Sequence, residues 1–220
     1  EAAKLGTSLT PMGGEKAGNA AGTIPAWTGG ITSKPAGYTK PGQHHPDAFP
    51  EDKPLYTITK ANLDQYKANL TPGVIALFNA YPNSFRLPVY PTRRSGSAPQ
   101  WLYDNTLKNA TSAKLLEGGS GFADAYGGVP FPVPKDGIEV LWNHITRYHG
   151  GNLRRIITQV TPQTNGSYTP IRFEEEIAVP QLMKDIDPEK AANVLTFFKQ
   201  SVTAPARLAG NVLLVHETLD

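Results

Sequence analysis

The clearest alternation of apolar and polar positions lies in residues 127–148. Behind Asp136, large apolar side chains recur at the spacing of one helical face. Asp136 stands three residues before Glu139, which is the spacing of a capping box at the start of a helix. The pattern therefore predicts an amphipathic helix with an apolar stripe formed by Ile138, Leu141, Trp142, Ile145 and Tyr148.

The residues just before this helix are predicted to be extended. Pro130, Pro132 and Pro134 each hold φ at about −65° and favour extended geometry in the preceding residue. Because proline lacks an N–H group, this run cannot donate a full ladder of sheet hydrogen bonds. The run and the helix contain no obvious catalytic group, and their apolar surface is expected to cover either the protein's own sheet or a ligand.

Short helices are predicted upstream of this segment. One lies in residues 59–70, and a second begins with Thr71 as N-cap and Pro72 at the first helical position. Residues 85–91 are proline-limited and suit the edge of a sheet. A third helix is predicted from Asp104 to about Leu116, where two glycines follow.

Strands are predicted after residue 150. Residues 152–161 are rich in β-branched side chains, and residues 168–179 alternate between apolar and charged positions across a turn signal at 164–167. This favours an antiparallel hairpin with one solvated face. A helix capped by Asp187 and Pro188 is predicted next, with Ala191, Val194, Leu195 and Phe198 as its apolar stripe, and a last strand begins near residue 210.

Composition narrows the class of protein. The chain has 220 residues, 20 prolines, 21 glycines and 18% charged residues, which favours a loop-rich protein that contains β-structure. A net charge of +2 without a long basic run argues against a nucleic-acid partner. With no cysteine, the chain has no disulfides and no thiolate metal sites. No apolar run is long enough to span a membrane.

The first quarter of the chain differs from the rest. Residues 1–54 show no sustained periodicity, and Ile24, Trp27 and Ile31 are predicted to pin them as an extended arm onto a body formed by residues 55–220. The alternative is a flexible tail. A new strand begins shortly before Asp220, so we expect the chain to be the N-terminal part of a longer protein. The first residue, Glu1, suggests a processed start.

Candidate chemistry is sparse. His44, His45 and Asp47 resemble a metal cluster, but adjacent histidines do not easily share one ion. No G-x-S-x-G elbow occurs, and Glu174 and Glu176 share one strand face, where solvation explains them. We therefore expect no catalytic residues, no metal site and no cofactor, and we predict that the protein is not an enzyme.

Four strings carry a resemblance to a known family. They are GTIPAWTGGI at 22–31, HHPDAFPEDKPLYTIT at 44–59, the segment 127–148 and TAPARLAGNVLLVHET at 203–218. The chain resembles, over essentially its whole length, an uncharacterised Proteobacterial periplasmic family grouped with LolA/LolB-type outer-membrane lipoprotein carriers. Members of that family generally have a cleavable signal peptide and continue beyond the position of Asp220.

The resemblance implies an α+β fold with a curved antiparallel sheet, an unclosed barrel, lidded by amphipathic helices. It also implies a periplasmic protein that binds a lipid, a lipoprotein acyl chain or another hydrophobic molecule, with an outer-membrane or exporter-type partner. The alternative is an interaction module that docks on such a complex with a solid core. Either as cavity lining or as ordinary core, the candidate residues are Phe131, Trp142, Ile145, Ile171, Phe173 and Phe198.

Overall fold

The structure, a computed structural model, describes residues 1–187, 191 and 194–218. Over these residues the fold is mixed α+β, with antiparallel sheets and no sheet closed into a barrel. The chain separates into two compact units. The small unit comprises Ala17–Gly96, and the large unit comprises Glu1–Lys16 together with Ser97–Asp220.

The small unit contains one helix and a two-stranded sheet. Strand β1 (Tyr56–Ile58) pairs antiparallel with β2 (Leu87–Val89), which confirms the extended segment predicted at 85–91. Helix α1 (Pro72–Ala80) begins as predicted, with the Thr71 hydroxyl accepting from the Val74 N–H. The predicted helix at 59–70 is instead two 3-10 turns, Lys60–Gln65 and Lys67–Asn69. The core of the unit is formed by Ile58, Leu63 and Phe78.

Part of the N-terminal arm is tied into the small unit. The Trp27 indole N–H donates to the Gly96 carbonyl at 2.9 Å, and the Ile31 N–H donates to the Ser95 carbonyl at 2.9 Å. Gly30 adopts a φ of +72°, and a Cβ there would lie 2.3 Å from the Gly96 carbonyl oxygen. Only glycine allows this close approach of two backbones. The anchoring of residues 1–54 onto a body through Ile24, Trp27 and Ile31 stays a prediction.

Helix α2 (Gln100–Ser112) lies four residues earlier than predicted at both ends. Its N-cap is Pro99, and Asp104 lies inside the helix, where it accepts a hydrogen bond from Gln100 at 2.8 Å. After the helix, β3 (Lys114–Leu115) pairs antiparallel with β4 (Phe122–Ala123). The prediction failed here because Lys114 and Leu115 pair with the next strand, although local propensity also allows them to continue the helix.

Helix α3 (Gly137–Ile145) confirms the predicted cap. The Asp136 carboxylate accepts from the N–H groups of Ile138 and Glu139, each at 2.9 Å. The Glu139 side chain reaches back to the Lys135 N–H at 2.6 Å, one residue earlier than in a capping box. These bonds satisfy donors that a helix start leaves without intrahelical partners.

The large unit contains a four-stranded antiparallel sheet. Its strands are β5 (Asn152–Pro162), β6 (Tyr168–Ala178), β7 (Val194–Ala204) and β8 (Val212–Thr218), and they pair in the order β5-β6-β7-β8. The predicted β5–β6 hairpin and the predicted last strand are confirmed.

The helix predicted after Asp187 is wrong for the residues that form β7. Val194, Leu195 and Phe198 lie in this strand, which pairs with β6 on one side and β8 on the other. Residues 194–204 are rich in β-branched and aromatic side chains, which suit a half-buried pleated surface. The apolar spacing of these residues also fits a helix. They form a strand because the free edge of β6 is available for pairing. Residues 188–190 and 192–193 of the predicted helix lie outside the described residues.

We expect Phe78→Ala to destabilise the small unit strongly. Phe78 is 0% exposed and meets Phe85 edge to face at 4.7 Å, so truncation leaves a cavity and should cost about 3–5 kcal/mol. The measurement is hydrogen exchange of peptides covering residues 55–90. The control is Leu77→Ala on the same helix, since Leu77 is 41% exposed and its truncation should cost about 0.5 kcal/mol or less. Equal losses for both variants would contradict this assignment of the core.

Candidate ligand groove on the four-stranded sheet

The pairing register divides the sheet into two faces of different character. Successive residues of a strand point to opposite faces, and directly paired residues share a face. One face, the Glu175 face, carries Phe173, Glu175 and Ile177 of β6. The other, the groove face, carries Glu174 and Glu176 of the same strand. The division confirms the alternation predicted for residues 168–179.

Large exposed apolar side chains concentrate on the groove face. Eight such residues lie in the four strands, and six of them share this face by the register, whereas Leu213 and Val215 are on the other. Leu214 is 71% exposed, Ile156 is 61% exposed and Phe197 is 44% exposed. The six residues are Ile156, Val160, Tyr168, Phe197, Val212 and Leu214.

A groove of about 700 Å³ lies against this face, at the end of the sheet where β6 ends and β7 begins. Phe197 of β7 and Leu214 of β8 line it, and the Phe197 ring stacks on His216 at 4.5 Å with an interplanar angle of 24°. Ala178 of β6 also borders it. The groove therefore combines a mostly apolar floor with aromatic surface.

The groove is also lined by Arg154, Glu176 and Lys199, and each of these charged residues is ion-paired. Arg154 Nε donates to the Glu174 carboxylate at 2.8 Å, and Lys199 Nζ lies 3.2 Å from the Glu176 carboxylate. The hydrogen bond that Arg154 donates to Glu174, and then the charge of that carboxylate, hold the pKa of Arg154 above its ordinary value. These pairs are largely solvent-exposed and contribute little stability. They form a polar border in which both carboxylates are neutralised.

Sequence reasoning missed the role of Glu175. This residue is 2% exposed, and both of its carboxylate oxygens accept hydrogen bonds: one from Arg155 Nε at 2.5 Å and one from Gln200 Nε2 at 2.7 Å. The three residues are direct cross-strand neighbours on β5, β6 and β7. Only the register could have revealed this arrangement, because the three lie 20 and 25 residues apart along the chain.

Two of the predicted lining residues meet in an aromatic cluster. Phe122 contacts Phe131 and Trp142 edge to face, with ring centroids 5.9 and 5.5 Å apart. The Trp142 indole N–H donates to the Gly119 carbonyl at 3.0 Å, and Asn143 bonds both backbone groups of Phe131. Phe131 is buried and Trp142 is half-buried. This cluster joins α3 to β4 and to the proline-rich run.

The other predicted lining residues lie elsewhere. Ile145, at the end of α3, is exposed. Ile171, Phe173 and Phe198 lie on the Glu175 face of β6 and β7, and Phe198 is the one of the six that also borders the groove. A ligand-lining role for these residues stays a prediction. The sequence pattern does not reveal Phe197 and Leu214 as lining residues. The apolar spacing around Phe197 predicts a helix, and residues 210–218 indicate only the start of a strand.

Two findings concern other kinds of site. Among the described residues, no group of three or more histidine and acidic side chains could hold a metal ion, and His45 stacks on Tyr38 at 5.4 Å. In the same part of the chain, no helix has the length and apolar character that a membrane span requires.

We expect Glu175→Gln to destabilise the large unit by about 1.5–3 kcal/mol, because it removes a buried charge-assisted hydrogen bond. The matched control is Glu174→Gln on the neighbouring position, whose exposed ion pair should be worth less than about 1 kcal/mol. Urea unfolding followed by circular dichroism measures both. A larger loss for Glu174→Gln than for Glu175→Gln would contradict the burial assigned to Glu175.

Comparison with known proteins places the chain in a family. The uncharacterized protein PA3922 of Pseudomonas aeruginosa is 53% identical over 220 residues, which is 100% of this chain and 48% of that protein. The chain thus spans about half the length of this curated relative. No solved structure matches this chain. The family described as "Protein of unknown function (DUF1329)" matches residues 57–220, and the chain belongs to this family.

Proposed function

We propose that the protein is a periplasmic, non-enzymatic carrier that shields a hydrophobic molecule, such as a lipid or a lipoprotein acyl chain. The observation that carries the proposal is the groove of about 700 Å³ against a sheet face whose large apolar side chains are exposed. Ligand pockets are typically about 300–1,000 Å³ and mostly apolar.

The energetics favour an apolar ligand. Soluble monomers rarely expose large contiguous apolar patches, and such patches often mark binding surfaces. Covering one removes apolar surface from water and yields about 0.8 kcal/mol for each CH₂ group buried. Because Arg154 and Lys199 are already paired with carboxylates, the attraction of the groove comes from its apolar floor.

The resemblance to LolA-type carriers supports the same function. Those carriers hold acyl chains against the concave face of a curved, helix-covered sheet. By that analogy the protein acts in outer-membrane lipoprotein sorting or in envelope transport, and an outer-membrane or exporter-type partner receives its ligand. The segment 127–148 then serves as part of the lid.

One observation favours a second candidate function, that of an interaction module. In the described part of the chain β8 pairs with β7 alone, and four successive apolar residues, 212–215, are exposed along it. An exposed apolar edge strand is a template for pairing with another strand. In this case the groove face docks onto an envelope protein and holds no lipid.

We expect the double variant Phe197→Ser/Leu214→Ser to lose affinity for 11-(dansylamino)undecanoic acid, a fluorescent fatty acid. Each removed side chain contributes about 1.5–3 kcal/mol of apolar burial when covered, so Kd should rise about tenfold or more. Fluorescence titration of the chain measures Kd.

The control is Leu107→Ser, because Leu107 is also an exposed leucine, lies on α2 and does not line the groove. Its Kd should equal that of the unmodified chain. Native mass spectrometry of the protein from its own envelope should show a bound lipid. If no lipid copurifies and the probe does not bind, the carrier function is wrong and the interaction module becomes the better hypothesis.

A further inference from the structure

A second cavity, distinct in chemistry from the groove, lies within the large unit. It has a volume of about 330 Å³ and is bordered by α2, by the loop at 124–127 and by the residues that follow β6. Its lining combines aromatic rings, carboxamides and ammonium groups. The residues that matter are Trp101, Asn105, Lys108, Tyr126, Gln181 and Lys184.

Gln181 is the most unusual of these residues. It is 9% exposed, yet its side chain makes no hydrogen bond with any described residue. Every fully enclosed side-chain N or O atom of the described residues has a hydrogen-bond partner. The amide of Gln181 has none, so it is not fully enclosed and faces the cavity that Gln181 lines. The 3-10 turn Pro180–Leu182 fixes the position of Gln181, so its amide is available to a ligand that enters the cavity.

Two exposed lysine side chains border the same cavity. Neither Lys108 nor Lys184 forms an ion pair with a described residue. The acid on the cavity wall, Asp124, is engaged by Lys114 at 2.8 Å. Both lysine side chains are solvent-exposed, and because no described carboxylate pairs with them, an anion in the cavity can accept hydrogen bonds from them.

The apolar part of the wall suits a compact organic body. The Trp101 ring is held edge-on by Tyr148 at 6.1 Å, and the Tyr126 ring, Met183 and Ile186 complete this side. Gly127 has a φ of +53°, and a Cβ there would come within 3.0 Å of Trp101 and 3.1 Å of Asn105. Glycine at this position keeps Trp101 and Asn105 where they line the cavity.

We propose that this cavity binds an organic oxyanion, a carboxylate or a phosphate that carries a compact apolar body. Lys108 and Lys184 attract the anionic group, and the amides of Gln181 and Asn105 donate hydrogen bonds to it. Trp101 and Tyr126 pack against the apolar body. The site is separate from the groove and does not depend on the carrier function proposed for that face.

Calorimetric titration of the chain with 1-naphthoate and with 1-naphthamide tests the charge requirement. The two probes share their ring system, and only the first is an anion. Naphthoate should bind about tenfold or more tightly, because charge-assisted hydrogen bonds are stronger than neutral ones. The double variant Lys108→Gln/Lys184→Gln should abolish this preference. Lys135→Gln, which removes the same charge outside the cavity, should preserve it.

Gln181→Leu separates ligand binding from a purely structural role. If the amide serves a ligand, the variant loses naphthoate affinity while its melting temperature stays the same, because no hydrogen bond to another described residue is lost. A lower melting temperature with unchanged affinity would overturn the role of Gln181. Competition by dodecanoate would identify an acyl amphiphile as the natural class of anion, and its failure would identify a compact acid.

Three results would overturn the site. They are equal affinity for naphthoate and naphthamide, no measurable naphthoate binding, and naphthoate affinity that is unchanged in the double lysine variant.

Phe197→Ser/Leu214→Ser should leave naphthoate affinity intact. If that groove variant abolished it, the anion would bind in the groove and the cavity assignment would be wrong. Failure of dansyl-fatty-acid binding together with retained naphthoate binding would remove only the carrier function.

Discussion

The register of the antiparallel ladder between β5, β6 and β7 is the constraint on which the rest of the large unit depends. A shift of one residue would exchange the two faces of every strand. Glu175 reinforces the observed register, because its carboxylate is satisfied only when Arg155 and Gln200 lie directly opposite. Any slip would leave a buried charge without partners, which is strongly unfavourable.

Two surfaces with different chemistry follow from this register. The groove face presents Phe197 and Leu214 beside ion pairs that neutralise its carboxylates, so it favours apolar ligands. Beyond the end of β6, the chain turns through Pro180–Leu182 and places Gln181 on the second cavity, where lysines without carboxylate partners favour anions. Gln181 follows Ala178, which borders the groove, by three residues.

Local chemistry made several elements predictable. The Asp136 cap, the Thr71–Pro72 helix start and the β5–β6 hairpin depend on residues close together in sequence. Predictions failed where strand pairing and helix formation compete for the same backbone. The residues predicted to end α2 form β3, which pairs with β4, and residues 194–198 of the helix predicted after Asp187 lie in β7 because β6 offers a free edge.

The sequence by itself therefore determined the two helix caps and the alternation of residues 168–179, since a cap forms within a few residues and alternation is a property of the strand itself. Only the tertiary structure decided that Glu175 is buried, that Phe197 lines a groove and that Gln181 and Lys108 border one cavity. Each of these depends on contacts between residues far apart along the chain. Apolar patterns do not encode such partners, because the same spacing fits a helix or a strand until a neighbouring strand edge selects one.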